Sequence, residues 1–272
     1  MFWNIRSHGP ETQSIMSTIG LFVSAFLSHV VPSRVICCSE NSLRAHRHLG
    51  FSSNALVFCP NFYSFGQSQH PYMLEKDVDV NLLRQRFSGA DVVGYIGRNA
   101  EVKNIEMLIE VFSMIKRSEC SKPVKFLVIG RGFESPEKSI IADHLARWNL
   151  GLNDIVFMGL RQDRLQFISL MNVLLLTSRT EGFPNVLVEG VDGGAICLST
   201  DAGAALDILD EDFVVDVDDS PLMAEKVENI LQLSLKDRQL VHQRQLRRVR
   251  QYFDIKSGSS YIQQVYDVST GS

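Results

Sequence analysis

The stretch Thr180 to Gly190, TEGFPNVLVEG, places Glu181 and Glu189 on either side of a Gly-Phe-Pro turn, with seven residues between them. It follows an apolar run, VLLLTSR, that reads as a buried strand, so the turn lies where a strand gives way to a helix. The first N–H groups of a helix have no partner within it, and they attract anions to the space above a sheet. Pro184 suits the first helical position because its missing N–H would be unbonded there in any case. A helix from Pro184 to Glu189 rises by about 7.5 Å, which lets the second glutamate reach a different part of one extended ligand. Taken alone, Glu181 is favourable charge near a helix start and Glu189 is a solvent-facing helix residue.

Cations at other strand ends change that balance. One apolar run ends in Gly97-Arg98-Asn99, with Lys103 at the start of the next helix. Arginine as a planar fork and lysine as a point charge can together hold a diphosphate. Two further runs end in Gly130-Arg131-Gly132 and Gly159-Leu160-Arg161, where glycine lets the backbone turn tightly or approach a ligand closely. Cations for phosphate and carboxylates for hydroxyls, at different strand ends of one crevice, suit a long ligand with hydroxyls at two places and phosphates between. A nucleotide sugar has that shape.

The elements that must position these residues are legible from Asp91 onward. The runs VVGYIG, VKFLVIG, DIVFMG, VLLLTS, AICLST and FVVDV alternate with helical stretches. One of these, NIEMLIEVFSMIKRS, sets Ile105, Leu108, Ile109, Phe112 and Ile115 on a single face. Short buried strands separated by helices imply a parallel sheet covered on both faces, here over residues 91 to about 235. In such sheets ligands bind beyond the carboxyl ends of the strands.

The first ninety residues read as helix 11 to 29, strand RVICCS, helix ENSLRAHRHLG, strand ALVFCP, then a turn-rich connection from Asn61 to about Gly89. Two strands and two helices are too few to cover a sheet on both faces, so this part reads as the end of a domain whose beginning is absent. Within it, Ile15, Ile19, Phe22, Phe26 and Val30 recur at helical spacing and predict a packed amphipathic helix. Ile15 to Val31 falls short of a membrane span, which leaves peripheral membrane contact as the other reading.

A net charge of -4 gives no global field for nucleic acid, and the basic run KDRQLVHQRQLRRVR reads as a solvated helix face. Cys37, Cys38, Cys59, Cys120 and Cys197 form no CxxC pair, and four of them sit in apolar runs, which fits a reducing cytoplasm. His46 and His48 point to different helix faces, so no metal site is expected.

Glu181, seven residues and Glu189 resemble the paired-glutamate motif of the retaining, GT-B fold glycosyltransferases of family 4, the group 1 glycosyltransferases. IGRNAEVKNIEMLIEVF, FLVIGRG, DIVFMGL, TSRTEGFPNVLVEG and STDAGAALDIL follow in that family's order, over residues 92 to about 233. FWNIRSHG, VICCSENSLRAHRHLGF and VFCPN resemble the last portion of the N-terminal domain in members that build surface polysaccharides. The chain departs from the family at Glu189-Gly190-Val191-Asp192-Gly193-Gly194-Ala195-Ile196, where Ile196 replaces the usual proline. Gly190 is expected to weaken its helix by about 0.5 to 1 kcal/mol relative to alanine. The linker Pro60-Asn61-Phe62-Tyr63 also departs from the common Pro-Asn-Gly.

The resemblance implies an α/β fold of GT-B type: a complete Rossmann-like C-terminal domain plus the last part of an N-terminal Rossmann-like domain. Residues 1–90 would form the partial acceptor-side domain and linker, 91–235 the donor nucleotide-sugar domain and 236–272 a helical tail. The activity implied is transfer of a sugar, with retention, from a UDP- or GDP-sugar to a glycan or lipid-linked glycan. It would occur in the cytoplasm, at the inner face of the membrane if the acceptor is lipid-linked, and without a metal. By position Arg98 and Lys103 would hold the diphosphate, and Glu181, Gly182, Phe183, Pro184 and Asn185 the sugar. Glu189 would hold the ribose, and Gly159, Leu160 and Arg161 the base. Gly130 and Gly132 match a scaffold turn. The catalytic residue stays unknown; His8 and His29 are the nearest candidates by sequence. A truncated homologue that only binds a nucleotide sugar, or has no activity, is the alternative.

Overall fold

The computed structural model describes residues 1–5, 15–66, 78–118, 121–136 and 140–267. Two parallel sheets organise them. The smaller contains β1 (Phe2–Ile5), β2 (Arg34–Cys37) and β3 (Leu56–Phe58), in the order β1-β2-β3. The larger contains β4 (Asp91–Ile96), β5 (Val124–Ile129), β6 (Ile155–Phe157), β7 (Val173–Leu176), β8 (Ile196–Thr200) and β9 (Val214–Val215). Its order, β6-β5-β4-β7-β8-β9, winds outward in both directions from the β4/β7 pair. That reversal opens a crevice beyond the strand ends, where the loops after β4 and β7 diverge.

The larger sheet is covered as its sequence requires. Every residue of β4, β7 and β8 is buried. Helix α4 (Ile105–Arg117) buries Ile105, Leu108, Ile109, Phe112 and Ile115, the face set by its spacing. At about 1.5–3 kcal/mol for each fully buried large apolar side chain, this face alone fixes the helix on the sheet. Phe112 stacks on Phe126 of β5 with ring centroids 4.3 Å apart.

Several expectations are corrected. Phe2–Ile5 adds a third strand to the N-terminal sheet, paired in parallel with β2. The connection between residues 61 and 89 contains a helix, α3 (Val78–Arg86), which buries Val80, Leu83 and the following Phe87 against the larger core. Helix α1 (Ile15–Leu27) forms, but the face expected to pack does not: Ile19, Phe22, Phe26 and Val30 are 55%, 58%, 76% and 79% exposed. The opposite face packs instead. Ala25 enters the small core, and buried Ser28 accepts a hydrogen bond from Ser52 N at 2.8 Å. Cys120 and His8 lie outside the described residues.

The basic run is a solvated face only in part: Lys236, Arg247 and Arg250 are exposed, while Arg238 and Gln245 are buried. It lies in α10 (Leu235–Phe253), and its polar residues tie that helix to the larger sheet. Arg238 forms a buried two-point pair with Asp91, at 2.6 and 2.9 Å. Gln245 accepts from Cys197 N and donates to Cys197 O, both at 2.9 Å. Because β9 pairs only with Ser199 and Thr200, this side chain supplies partners that β9 is too short to reach. Arg244 and Arg248 pair with Asp210 at 2.8 and 3.1 Å. The charge of these two arginines is met by carboxylates.

Beyond α10, α11 (Ile255–Tyr266) returns to the smaller sheet, where Tyr261 Oη donates to Phe58 O at 2.6 Å. The bend between them is held by the linker: Tyr63 N donates to Phe253 O at 2.8 Å and Tyr63 O accepts from Ile255 N at 3.0 Å. Among the described residues no helix is long and apolar enough to cross a membrane.

Candidate functional site

The strand ends at the β4/β7 reversal build a cavity of about 360 Å³. Arg98 comes from the end of β4, Arg131 from β5, Arg161 and Arg164 from the loop and helix after β6. Glu189, on α7 (Asn185–Asp192), faces the same space with Asn185. Of the four arginines, Arg161 and Arg164 are paired with Asp163 and Glu189, while Arg98 and Arg131 are exposed, and together they leave the cavity with positive charge.

Close backbone packing shapes its floor. Gly130 has φ 148°, and a Cβ there would overlap the carbonyl oxygen of Gly97. Tyr95 is fully buried and its phenol donates to Arg98 O at 3.4 Å, which fixes the turn that presents Arg98. Burial pushes that phenol well above its ordinary range, with the Glu181 carboxylate adding to the effect, so it acts as a neutral donor.

The sequence-predicted residues divide into two groups. Arg98, Leu160, Arg161, Asn185 and Glu189 line the cavity together. Lys103, Glu181, Gly182, Phe183 and Pro184, on the stretches that follow β4 and β7, and Gly159, after β6, do not line it. The Lys103 ammonium is paired with Glu181, which also accepts from Ser178 Oγ at 2.7 Å. The two glutamates therefore attend to different cations, since Glu189 Oε1 accepts from Arg164 Nη2 at 2.9 Å. Pro184 is the cap residue and Asn185 the first helical one, one position later than expected. Gly182 O accepts from Ala204 N at 3.0 Å, and Phe183 packs edge-on against Phe253 at 5.2 Å.

At the far end Gly159 turns with φ 61° and Arg161 is bound through Nε and Nη2 to Asp163, at 2.8 and 2.6 Å. Glu134 is a neighbour that the motifs did not reveal. It accepts from Gly132 N at 2.8 Å and Leu160 N at 3.3 Å, and its own backbone N–H and that of Gly132 hold its carboxyl below the usual range. The sequence motifs do not single out Arg131, Arg164 or Glu134 as site residues. Arg131 lies within the Gly130–Gly132 turn, and Arg164 three residues past the Gly159–Arg161 turn. Glu134 reaches Leu160 only through the fold.

Gly190 has a packing reason as well as a helix cost. A Cβ on it would lie 2.7 Å from Cys197 Sγ and 3.2 Å from Leu174 Cδ1, so glycine lets α7 sit close on β7 and β8. Burial pushes the Cys37 thiol up to about 12 and raises that of Cys197 as well, so both behave as small neutral core groups. His29 is bonded through Nε2 to Gly50 O at 3.1 Å, within the smaller unit. It lines neither this cavity nor the cleft beside it.

That cleft, of about 510 Å³, lies between the two sheets and shares Asn185 and Glu189 with the arginine-lined cavity. Asn61 Nδ2 donates to Asn185 Oδ1 at 3.1 Å, and Tyr63 Oη and Gly66 N donate to the buried carboxylate of Asp192 at 3.3 and 3.1 Å. From the smaller sheet, α2 (Glu40–His48) approaches the loop before α8 (Ala205–Ile208): Asn41 Nδ2 donates to Gly203 O at 3.0 Å. Gly203, with φ 61°, also lets this loop pack on the turn after β7, where a Cβ would overlap the carbonyl oxygens of Glu181 and Gly182.

Comparison with known proteins agrees with this architecture. Over 175 residues, or 61% of its length, the chain is 29% identical to the capsular polysaccharide biosynthesis glycosyltransferase CapM of Staphylococcus aureus, covering 44% of that protein. Over 115 residues it is 33% identical to the Vi polysaccharide biosynthesis protein VipC/TviE of Salmonella typhi, covering 39% of the chain and 19% of the relative. The chain thus spans less than half the length of these relatives. Its fold matches the crystal structure of Anabaena Alr3699/HepE in complex with UDP and glucose, with a TM-score of 0.79 at 20% identity, over 97% of this chain and 70% of that one. This is the GT-B architecture. The family model "Glycosyl transferases group 1" matches residues 90–233, more than half of the chain, and the chain belongs to that family.

Proposed function

We propose that this chain carries the donor side of a sugar transferase: it binds a nucleoside diphosphate sugar, and the sugar passes to a glycan or lipid-linked glycan with retention, in the manner of family 4. The observation that carries this reading is the cavity of four arginines and one inward carboxylate at the strand-order reversal. Support comes from the family match and from the UDP and glucose named with the Anabaena structure.

When the bond between the anomeric carbon and the diphosphate breaks, negative charge grows on the departing phosphate. Arg98, Arg131 and the start of α7 offset that charge in place, with no need for a divalent metal. Glu189, held by Arg164, accepts from ribose hydroxyls. The Gly159–Arg161 turn meets the base, and Glu181 with Lys103 faces the sugar and its phosphate. The acceptor enters through the larger cleft that shares Asn185 and Glu189 with this cavity. Residues 1–90 form the acceptor-side part, and 91–235 the donor domain.

Calorimetric titration with UDP, GDP and their sugar conjugates tests the reading. Glu189→Ala and Arg98→Ala are each expected to weaken binding by more than about 1 kcal/mol, as charge-assisted contacts do. A folded chain that binds none of these nucleotides would sink it.

A further inference from the structure

Lys103 closes a 3-10 turn (Glu101–Lys103), and the residue after it is anchored with unusual care. Asn104 is left-handed, at φ 51° and ψ 56°, and only 3% exposed. Its Nδ2 donates to Asp218 Oδ1 at 2.6 Å, and Asp218 is itself left-handed, at φ 66°. Among the described residues three non-glycine positions have this backbone, and two of them are bonded to each other here. Asn and Asp tolerate the left-handed region better than other side chains, yet it still carries a cost.

A second arm reaches the same turn from the loop after β7. Arg179 Nη2 donates to Asp218 Oδ1 at 3.1 Å, its Nη1 to Glu101 O at 3.4 Å, and its backbone N–H to Val102 O at 2.8 Å. Thr177 Oγ1 donates to Lys103 O at 3.0 Å. The backbone on both sides of Lys103 is therefore fixed while its ammonium extends to Glu181. The Arg179–Asp218 pair is 44% and 58% exposed, and exposed pairs contribute little to global stability. Strain kept where stability gains little is characteristic of sites that need a set geometry.

We infer that Asp218 is a positioning residue for Lys103: through Asn104 and Arg179 it fixes the turn that aims the Lys103 ammonium at the donor's phosphate. This rests on the reading of Lys103 as a diphosphate cation. Asp218 lines neither the arginine cavity nor the cleft beside it, so on this reading its effect must vanish when Lys103 is gone.

The test is a double-mutant cycle. UDP and GDP are titrated into the parent chain, Asp218→Ala, Lys103→Ala and the double variant, with thermal unfolding recorded for each. Asp218→Ala is expected to weaken binding about three- to tenfold, and the double variant to bind as Lys103→Ala alone does. The unfolding temperature is expected to fall by several degrees, because the buried Asn104 amide loses its acceptor and alanine tolerates the left-handed backbone less well than aspartate, and to fall equally with and without Lys103. Asp218→Asn, which keeps an acceptor for Asn104, is expected to restore most of the affinity. The inference is overturned if Asp218→Ala weakens binding equally with and without Lys103, if it has no effect, or if Asp218→Asn restores nothing. Should Asp218→Ala not fold, Arg179→Ala takes its place in the same cycle. An unchanged affinity in Lys103→Ala overturns the Lys103 assignment beneath it, and no binding by the parent chain overturns the nucleotide reading itself.

Discussion

The two sheets are built from the same strand-and-helix units, but they bury them very differently. Around the larger sheet, α4 hides its whole apolar face, and two polar residues of α10, Arg238 and Gln245, end in buried partners, Asp91 and Cys197. Around the smaller sheet, a modest cluster centred on Val35, Cys37 and Leu56 forms the core, while α1 turns its phenylalanines outward. β1 alternates between exposed and half-buried residues, unlike the fully buried β4 and β7. Helical period specifies that a face exists. It does not specify what covers it.

The largest expected effect lies in the well-covered half. Arg238→Ala leaves the Asp91 carboxylate buried without its partner and is expected to cost about 3–5 kcal/mol in urea-induced unfolding. Replacing both residues with apolar side chains of similar volume is expected to recover most of that loss, because neither charge then needs desolvation. A loss below about 1 kcal/mol for Arg238→Ala would mean that α10 is looser on the sheet than this two-point pair indicates.

A middle effect is expected at Gly190. Helix propensity alone predicts that alanine stabilises α7 by about 0.5–1 kcal/mol. The Cβ contacts with Cys197 Sγ and Leu174 predict the reverse, an overpacking cost of about 1–3 kcal/mol. Denaturant midpoints for Gly190→Ala decide between them by sign. Nucleotide affinity should fall as well, since a displaced α7 moves Asn185 and Glu189 together.

Gly190 also shows where sequence reading stops. Periodicity placed α4, and the runs of apolar residues placed β4 to β8. The rule that ligands lie beyond strand ends brought Arg98, Leu160, Arg161, Asn185 and Glu189 to one cavity. Each of these depends on local pattern, which a single sequence carries. Glu134 at Leu160 N, Asp218 at Asn104 and Gln245 at Cys197 depend on distances between segments far apart in the chain. No spacing within one element encodes those distances. The same limit explains α1: five apolar positions at helical spacing predicted the helix, while the face that packs is chosen by Ala25 and Ser28, small enough to let it approach β2 and the loop at Ser52.

The smallest effect is expected at that helix, where it is the most informative about the comparison. Phe26 is 76% exposed, so Phe26→Ser removes an apolar side chain that the fold does not bury. Stability is expected to change by no more than about 0.5 kcal/mol, as for surface substitutions generally. The same change made to Phe112, fully buried in the larger core, is expected to cost at least the 3–5 kcal/mol typical of removing a core phenylalanine. Binding of a hydrophobic dye should drop in the Phe26 variant, because an exposed apolar patch is what such a dye reports. A cost above about 1 kcal/mol for Phe26→Ser would show that this face is covered in solution. The contrast between the halves would then lie in what each packs against, and not in how completely each is packed.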